Sequence, residues 1–514
     1  MPARLVWNLG GWKTLRGPLV GLSLAAGLSL LCANTRADLI YFRGGGAIQA
    51  PASDRDGSVV IEVGGESYAF SPEGLEKREP GFVPAEEWET RRARAASASA
   101  SERFAAAWWA LENGLTDEAA AEFQVIHKAD PNHAPTARMV GILKRLAAPC
   151  ADPEFADFRR ALGVAVEEER GPHVLLLHQH SKAEAAARVA LLERVVTSYY
   201  LTFAGSGLDL GVPDRRLVFA WFADQEDYKA FLTAQNASPF ATTRGYFHPT
   251  WNAVVAYDAR SNPEHRRDAE ALRGRREELK QFREALKRMP ARARARVSLA
   301  GEPARTVGRD DGAALADRLE RDALRAELLL EAQRLAFDDG IAAHEMVHLL
   351  ATKSGLLPRH DAFPIWLQEG LAMQFEVVRG GRWAGVSRAH DIRLADWRQL
   401  QPRPLLEPLV RDRGFGRGYR RGAYAEAWAL VYFLRCRRPE QFIVYLDLLR
   451  APSDGRPRAD IAFDAFQRAF GSDLPALERD WRAFLDASDT PLSRYAPAPQ
   501  DSRPAALTDR RESL

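Results

Sequence analysis

Short runs of apolar and polar residues in alternation mark the chain between residues 38 and 80. Runs such as Ser58–Val63 are rich in β-branched residues, and Gly64 and Gly65 follow as a turn signal. Alternation with a period of two is typical of strands that bury one face, and paired glycines are typical of tight turns. The pattern therefore predicts a small β-barrel-like module over 38–80.

A helical period replaces the alternation over 81–150, where we expect a linker followed by a helical hairpin. Gly114, Ala119, Phe123 and Pro131 have the spacing of the second half of a tetratricopeptide repeat. One such copy is visible, so the hairpin is either a groove for a protein partner or a helical spacer. We favour the spacer because a stable repeat array needs about three copies.

The apolar pattern alternates between strands and helices over 172–258, in the order β-α-β-α-β-β. This order predicts a mixed sheet backed by helices. A charged helical insertion is expected over 259–336, and a helical subdomain over 337–488. The predicted fold class is α+β.

The two ends of the chain have compositions typical of segments outside the folded domain. Basic residues precede an apolar run over 18–33, which is short for a membrane span and long enough for a signal peptide. We predict a signal peptide over 1–37 with cleavage before Asp38, and an uncleaved anchor is the alternative. The signal peptide would direct the chain to the periplasm, cell surface or medium. After cleavage the mature chain is expected to have no membrane span. Residues 489–514 are expected to form a disordered tail.

Composition excludes several classes of protein. Hydrophobic residues make up 46% of the chain and charged residues 27%, close to globular averages. These values exclude a wholly disordered chain, and a sequence with only one long apolar run excludes a membrane protein with many spans. The net charge is +2, so no strong field attracts nucleic acid, and we expect no nucleic-acid partner.

The segment with the clearest chemistry is the H-E-x-x-H motif of His344, Glu345 and His348. Four residues of a helix advance by about 400°, so both imidazoles lie on one face and can bind one zinc ion. Glu345 lies beside them and can take a proton from a water molecule. The helix is expected to start at 338–340 (Asp-Asp-Gly) and to stop at Gly355.

A catalytic zinc site needs a third protein ligand, and Glu369 is the candidate. It follows His348 by 21 positions, and a loop with a second helix starting at Pro364 could return it to the histidines. Two histidines, one carboxylate and an open position are typical of one catalytic zinc per chain. Glu376 shares the helix face of Glu369, either as an acceptor for a ligand histidine or as an exposed residue.

The combination of H-E-M-V-H with W-L-Q-E-G-L-A about twenty residues later resembles the gluzincin metallopeptidases, the thermolysin-like and aminopeptidase-N-like superfamily. It is most similar to an uncharacterised group of secreted bacterial proteins in that superfamily. The resemblance covers about 172–488. It implies a mixed sheet with a helical zinc-binding subdomain, zinc ligands His344, His348 and Glu369, and Glu345 as general base.

The resemblance also implies roles for residues outside the two motifs. The segment 252–257 would be the edge strand that pairs with a substrate backbone, through Asn252, Ala253 and Val254. Tyr419 or Tyr424 would stabilise the oxyanion. The chain lacks the Gly-x-Met-Glu-Asn signature of aminopeptidases, which favours endopeptidase action.

Three functional hypotheses follow. The first is a secreted zinc peptidase that hydrolyses peptide or protein substrates. The second is a catalytically inactive envelope scaffold on the same fold. The third is an adaptor with an accidental H-E-x-x-H motif, which requires a fold that keeps Glu369 away from both histidines.

Overall fold

The computed structural model describes residues 37–299, 303–357, 363–386, 388–413, 422–451, 458–490 and 492. These residues form an α+β structure with two five-stranded sheets. The predicted signal peptide, apart from Ala37, and most of the predicted tail lie outside them. Within the described ranges, every helix is too short or too polar to cross a lipid bilayer.

The first sheet is antiparallel throughout and occupies the segment predicted as a β module. Its order is β4-β3-β2-β1-β5, and its strands are β1 (Ala37–Phe42), β2 (Ala47–Arg55), β3 (Ser58–Val63), β4 (Glu66–Phe70) and β5 (Leu75–Glu79). Gly64 and Gly65 have φ angles of 63° and 84°, which the two-residue turn between β3 and β4 requires. The inner face buries Ile40, Ile61 and Phe70.

Four helices follow the first sheet, and each packs on the next. They are α1 (Pro84–Ala95), α2 (Ala100–Glu112), α3 (Thr116–Ala129) and α4 (Ala134–Leu146). We expect a linker at the start of this region, but Pro84–Ala95 form the helix α1 instead. Trp88 of this helix is buried in the main core and anchors it there. The tetratricopeptide-like interpretation of α2 and α3 stays a prediction.

The second sheet has the order β6-β7-β8-β10-β9. Its strands are β6 (Glu167–Arg170), β7 (Val174–His178), β8 (Leu217–Phe222), β9 (Gly245–His248) and β10 (Ala253–Tyr257). The three inner strands are parallel, and β6 and β9 are antiparallel edges. One face packs on α6 (Lys182–Gly205), and the other packs on α5 (Ala156–Ala161) and α7 (Gln225–Ala234).

A 45-residue helix, α9 (Arg309–Lys353), runs through the molecule for about 67 Å. Its first half packs on α8 (Pro263–Arg288) and closes the core of the first sheet with Leu328. A small hairpin of β11 (Ala295–Val297) and β12 (Arg305–Val307) precedes it. Its second half lies against α6 and β9 and contains the two histidines.

The helix start expected at 338–340 is therefore wrong, and no boundary separates 259–336 from 337–488. Asp338 stays in the helix because its carboxylate accepts hydrogen bonds from Arg334 one turn earlier and from the Ala259 backbone. Gly340 allows a close approach, since a Cβ there would lie 3.0 Å from the Glu376 carbonyl oxygen. The stop at Gly355 is confirmed: it follows the end of α9 with a φ of 75°.

The remaining described chain forms a helical subdomain around four fully buried tryptophans, Trp366, Trp397, Trp428 and Trp481. Its elements are α10 (Ile365–Ala372), β13 (Val378–Arg379), β14 (Arg382–Trp383), α11 (Asp391–Gln399), α12 (Leu406–Val410), α13 (Ala423–Arg437), α14 (Pro439–Arg450), α15 (Arg458–Phe470) and α16 (Leu474–Ala487). Its core is continuous with that of α6 and α9.

Candidate metal centre

The two histidines of the motif face the same way from the last turns of α9. Their Nε2 atoms lie 3.0 Å apart, and both residues are buried. Ser354 and Gly355 end the helix less than two turns after His348. The spacing of four residues thus brings two imidazole nitrogens together, as the sequence predicts.

Glu369 reaches the histidines from α10. The helix is fixed at its start by Asp412, whose carboxylate accepts the N–H groups of Ile365 and Trp366 at 2.7 and 3.0 Å. It is fixed in its middle by Gly370, where a Cβ would lie 2.7 Å from the Ala427 carbonyl oxygen of α13. Only glycine permits this approach of α10 to α13, which sets the position of the neighbouring Glu369.

The distances among the three side chains suit a tetrahedral metal ion. The Glu369 carboxylate oxygens lie 3.2 Å from His344 Nε2 and 3.7 Å from His348 Nε2. Bonds of 2.0–2.1 Å in tetrahedral geometry place ligand atoms about 3.3 Å apart. The three residues could therefore hold a metal ion. The third hypothesis, an adaptor with an accidental motif, requires Glu369 to lie away from both histidines. The observed distances contradict that requirement.

Glu376 fixes the orientation of His344 through the ring nitrogen Nδ1, which is not the one near Glu369 and His348. Its Oε1 lies 2.6 Å from His344 Nδ1, while its Oε2 lies 3.2 Å from His390 Nε2 and 3.3 Å from Arg393 Nη2. Burial alone would raise the pKa of Glu376, but the Arg393 charge and the two histidine hydrogen bonds hold that pKa well below its usual value. Of the two alternatives for Glu376, an acceptor for a histidine or an exposed residue, this contact and the burial of Glu376 agree with the first.

We expect the replacement Glu376→Gln to weaken metal binding by about 10- to 100-fold. The amide is a weaker acceptor for His344 Nδ1–H, so the ring loses both orientation and basicity. Competition with a fluorescent zinc chelator measures the dissociation constant. Glu407→Gln, on an exposed face, is the matched control, and equal zinc affinity in both variants would contradict this role.

Glu345 lies against β9, at the edge of the second sheet. A Cβ on Gly245 of β9 would lie 2.6 Å from Glu345 Cγ, so glycine is needed there. Burial and the carboxylates of Glu369 and Glu376 raise the pKa of Glu345 to about 7, although His344 and a backbone hydrogen bond from Phe247 oppose the shift. A carboxylate with this pKa can exchange protons near neutral pH.

The edge position predicted for 252–257 is wrong. Ala253 and Val254 belong to β10, which pairs with β8 on one side and with β9 on the other. Asn252 lies in the turn before it, with a φ of 51°. The edge strand next to Glu345 is β9. Sequence patterns identify the β9–β10 hairpin but do not indicate which of its strands pairs with β8.

Of the two tyrosines proposed to stabilise the oxyanion, the structure describes one. Tyr419 lies outside the described residues. Tyr424 is in the first turn of α13, and its ring lies 5.7 Å from the guanidinium carbon of Arg393, which also contacts Glu376. The structure therefore brings Tyr424 to the outer part of the site, and its role stays a prediction.

Sequence reasoning missed the partners of Glu376. His390 and Arg393 lie at the start of α11, separated from Glu376 by a small hairpin of β13 and β14. Their spacing of three residues places both on one helix face, but nothing in the sequence connects that face to Glu376. The contact depends on the tertiary fold.

Comparison with known families gives a match over part of the chain. Residues 340–454 match a family described as "Protein of unknown function (DUF1570)". The matched segment includes His344, His348, Glu369 and Glu376. Searches of curated proteins and of solved structures found no match.

Proposed function

We propose that the protein is a zinc-dependent peptidase with a gluzincin-like catalytic domain. The observation that supports this most strongly is the convergence of His344, His348 and Glu369 on one point, with buried Glu345 on the same helix. Each of these residues has a chemical role in peptide hydrolysis. The resemblance of the two motifs to gluzincins supports the same conclusion.

The donor set suits zinc in particular. Two imidazole nitrogens and one carboxylate are typical of catalytic zinc sites, which keep a fourth position for water or substrate. One ion per chain is proposed. When bound, zinc supplies a Lewis acid for the scissile carbonyl and for the attacking water molecule.

Glu345 is proposed as the general base. Its carboxylate would accept a proton from the attacking water and then donate it to the leaving amine of the substrate. The backbone hydrogen bond from Phe247 and the contact with Gly245 hold the carboxylate beside β9. Tyr419 and Tyr424 are both retained as candidates for stabilising the oxyanion.

The substrate is proposed to be an extended peptide or protein segment. Within the described chain, the outer side of β9 has no partner strand, so a peptide backbone could add there by β-augmentation. Because β9 also touches Glu345, a peptide paired with it would pass the base. The absence of the aminopeptidase signature favours endopeptidase action, and the leader sequence favours an exported enzyme.

The test is cleavage of casein and of a mixed-sequence peptide library by the mature chain from Asp38 onward. We expect cleavage that a chelator such as 1,10-phenanthroline abolishes and that added zinc restores. Cleavage that survives full removal of metal would contradict the proposal. Zinc binding without cleavage of any substrate would instead favour the inactive envelope scaffold.

A further inference from the structure

A narrow cleft lies between the second sheet and α9, beside the proposed active site. It opens at the carboxyl ends of β8 and β10, where Trp221 and Tyr257 form one wall. Phe337, Ile341 and Ala342 of α9 form the opposite wall. Ligands of sheets with parallel strands commonly bind at the carboxyl ends of those strands. Ile341 lies one turn before Glu345 on the same face of α9, so the cleft leads toward the proposed base.

Two guanidinium groups line this cleft, and they differ in their bonding. Arg188 donates to the Asp338 carbonyl oxygen at 2.9 Å and to an Asp339 carboxylate oxygen at 2.8 Å. The guanidinium carbon of Arg244 lies 4.0 Å from the centroid of the Phe337 ring. Across the described residues, no carboxylate, carbonyl or hydroxyl oxygen accepts a hydrogen bond from the Arg244 side chain.

The carboxylate of Asp338 accepts its hydrogen bonds from groups other than Arg244. It is the one acidic side chain among the described residues that line the cleft, and it is bonded to Arg334 and to the Ala259 backbone. The half-buried Arg244 side chain presents five N–H donors in a planar fork. That fork has the geometry to bind a carboxylate in bidentate fashion.

Arg244 immediately precedes β9, the edge strand next to Glu345. Gly245, the next residue, lies against both Glu345 and Ile341. A strand advances about 3.3 Å per residue, so Arg244 is within reach of substrate residues one or two positions from a bond at Glu345. A peptide carboxylate at the mouth of the cleft would lie there.

We propose that Arg244 is a specificity-determining residue that binds a carboxylate of the peptide substrate, within two residues of the scissile bond. This inference rests on the proposed peptidase function. The carboxylate can come from an acidic side chain or from the free carboxyl terminus of a short peptide. Both sources present the same planar group to the guanidinium.

The test compares matched peptides cleaved by the zinc-loaded mature chain. One series carries Glu or Gln at each of the two positions on either side of the scissile bond, and a second has a free or amidated carboxyl terminus. We expect kcat/KM to favour the acidic member of one series on the order of 10- to 100-fold. Preference in the first series identifies a side-chain carboxylate, and preference in the second identifies the terminus.

Arg244→Gln is expected to bring that ratio to about one, and Arg266→Gln is the matched control that keeps it. Arg266 is a nearby exposed arginine that is paired with Asp224 and lies outside the cleft. Because both peptides report on the same active molecules, partial misfolding of a variant changes both rates and not their ratio. A wild-type ratio near one, or a ratio unchanged by Arg244→Gln, would overturn the proposal.

A binding measurement separates this proposal from the proposed function. Fluorescence anisotropy of labelled peptides on zinc-loaded Glu345→Gln needs no turnover. If no peptide is cleaved by the wild-type chain, the peptidase proposal fails, but tighter binding of the acidic peptide that Arg244→Gln removes would still support the carboxylate site. Equal binding of acidic and neutral peptides would overturn it.

Discussion

Replacement of Glu345 by glutamine is expected to lower kcat/KM for peptide hydrolysis by about 10²- to 10⁴-fold. The amide cannot accept a proton from water, and no other carboxylate of the described site is free for this purpose: Glu369 faces the metal position and Glu376 is bonded to His344. Zinc content should stay unchanged because Glu345 is not a ligand.

The same peptide assay on Glu320→Gln provides the control for Glu345→Gln. Glu320 is an exposed residue of the same helix, paired with Arg283, and its replacement should leave activity within about twofold. A Glu345→Gln variant with more than a tenth of the wild-type activity would contradict the role of general base.

Replacement of Asp338 by alanine is expected to lower the free energy of unfolding by about 3–5 kcal/mol. Asp338 is buried in α9, and its carboxylate bonds Arg334 at 2.9 Å and the Ala259 N–H at 2.9 Å. Its removal leaves part of the buried Arg334 charge uncompensated and one buried backbone donor without an acceptor. This contact joins α9 to the segment that follows β10.

Urea denaturation followed by circular dichroism measures the loss in stability. Asp338→Asn is the matched comparison, because the amide oxygen can still accept the Ala259 N–H, and its loss should be smaller. A change below about 1 kcal/mol for Asp338→Ala would show that the buried bonds do not hold α9 in place.

The features that the sequence predicts correctly depend on short-range patterns. The spacing of His344 and His348 fixes their common face as soon as the segment is helical. Pro364 and the apolar run after it define α10, and glycine with a positive φ ends α9 at Gly355. Such local preferences survive in the folded chain because packing reinforces them.

The features that the sequence does not predict depend on long-range contacts. Asp and Gly at 338–340 are typical of a helix start, yet the bonds of Asp338 to Arg334 and Ala259 keep that segment within α9. β6 was missed because its four residues are all charged, as suits an exposed edge strand. The order of β9 and β10 in the sheet depends on which strand pairs with β8.

The central claim is that His344, His348 and Glu369 bind one zinc ion that peptide hydrolysis requires. The most direct test is the zinc content of the purified mature chain by atomic absorption, beside His348→Ala and the control His127→Ala, with casein cleavage measured on the same samples. We predict one zinc per chain in the wild type and the control, and loss of both zinc and cleavage in His348→Ala. A wild-type chain without zinc, or a His348→Ala variant that keeps both zinc and cleavage, would contradict the account.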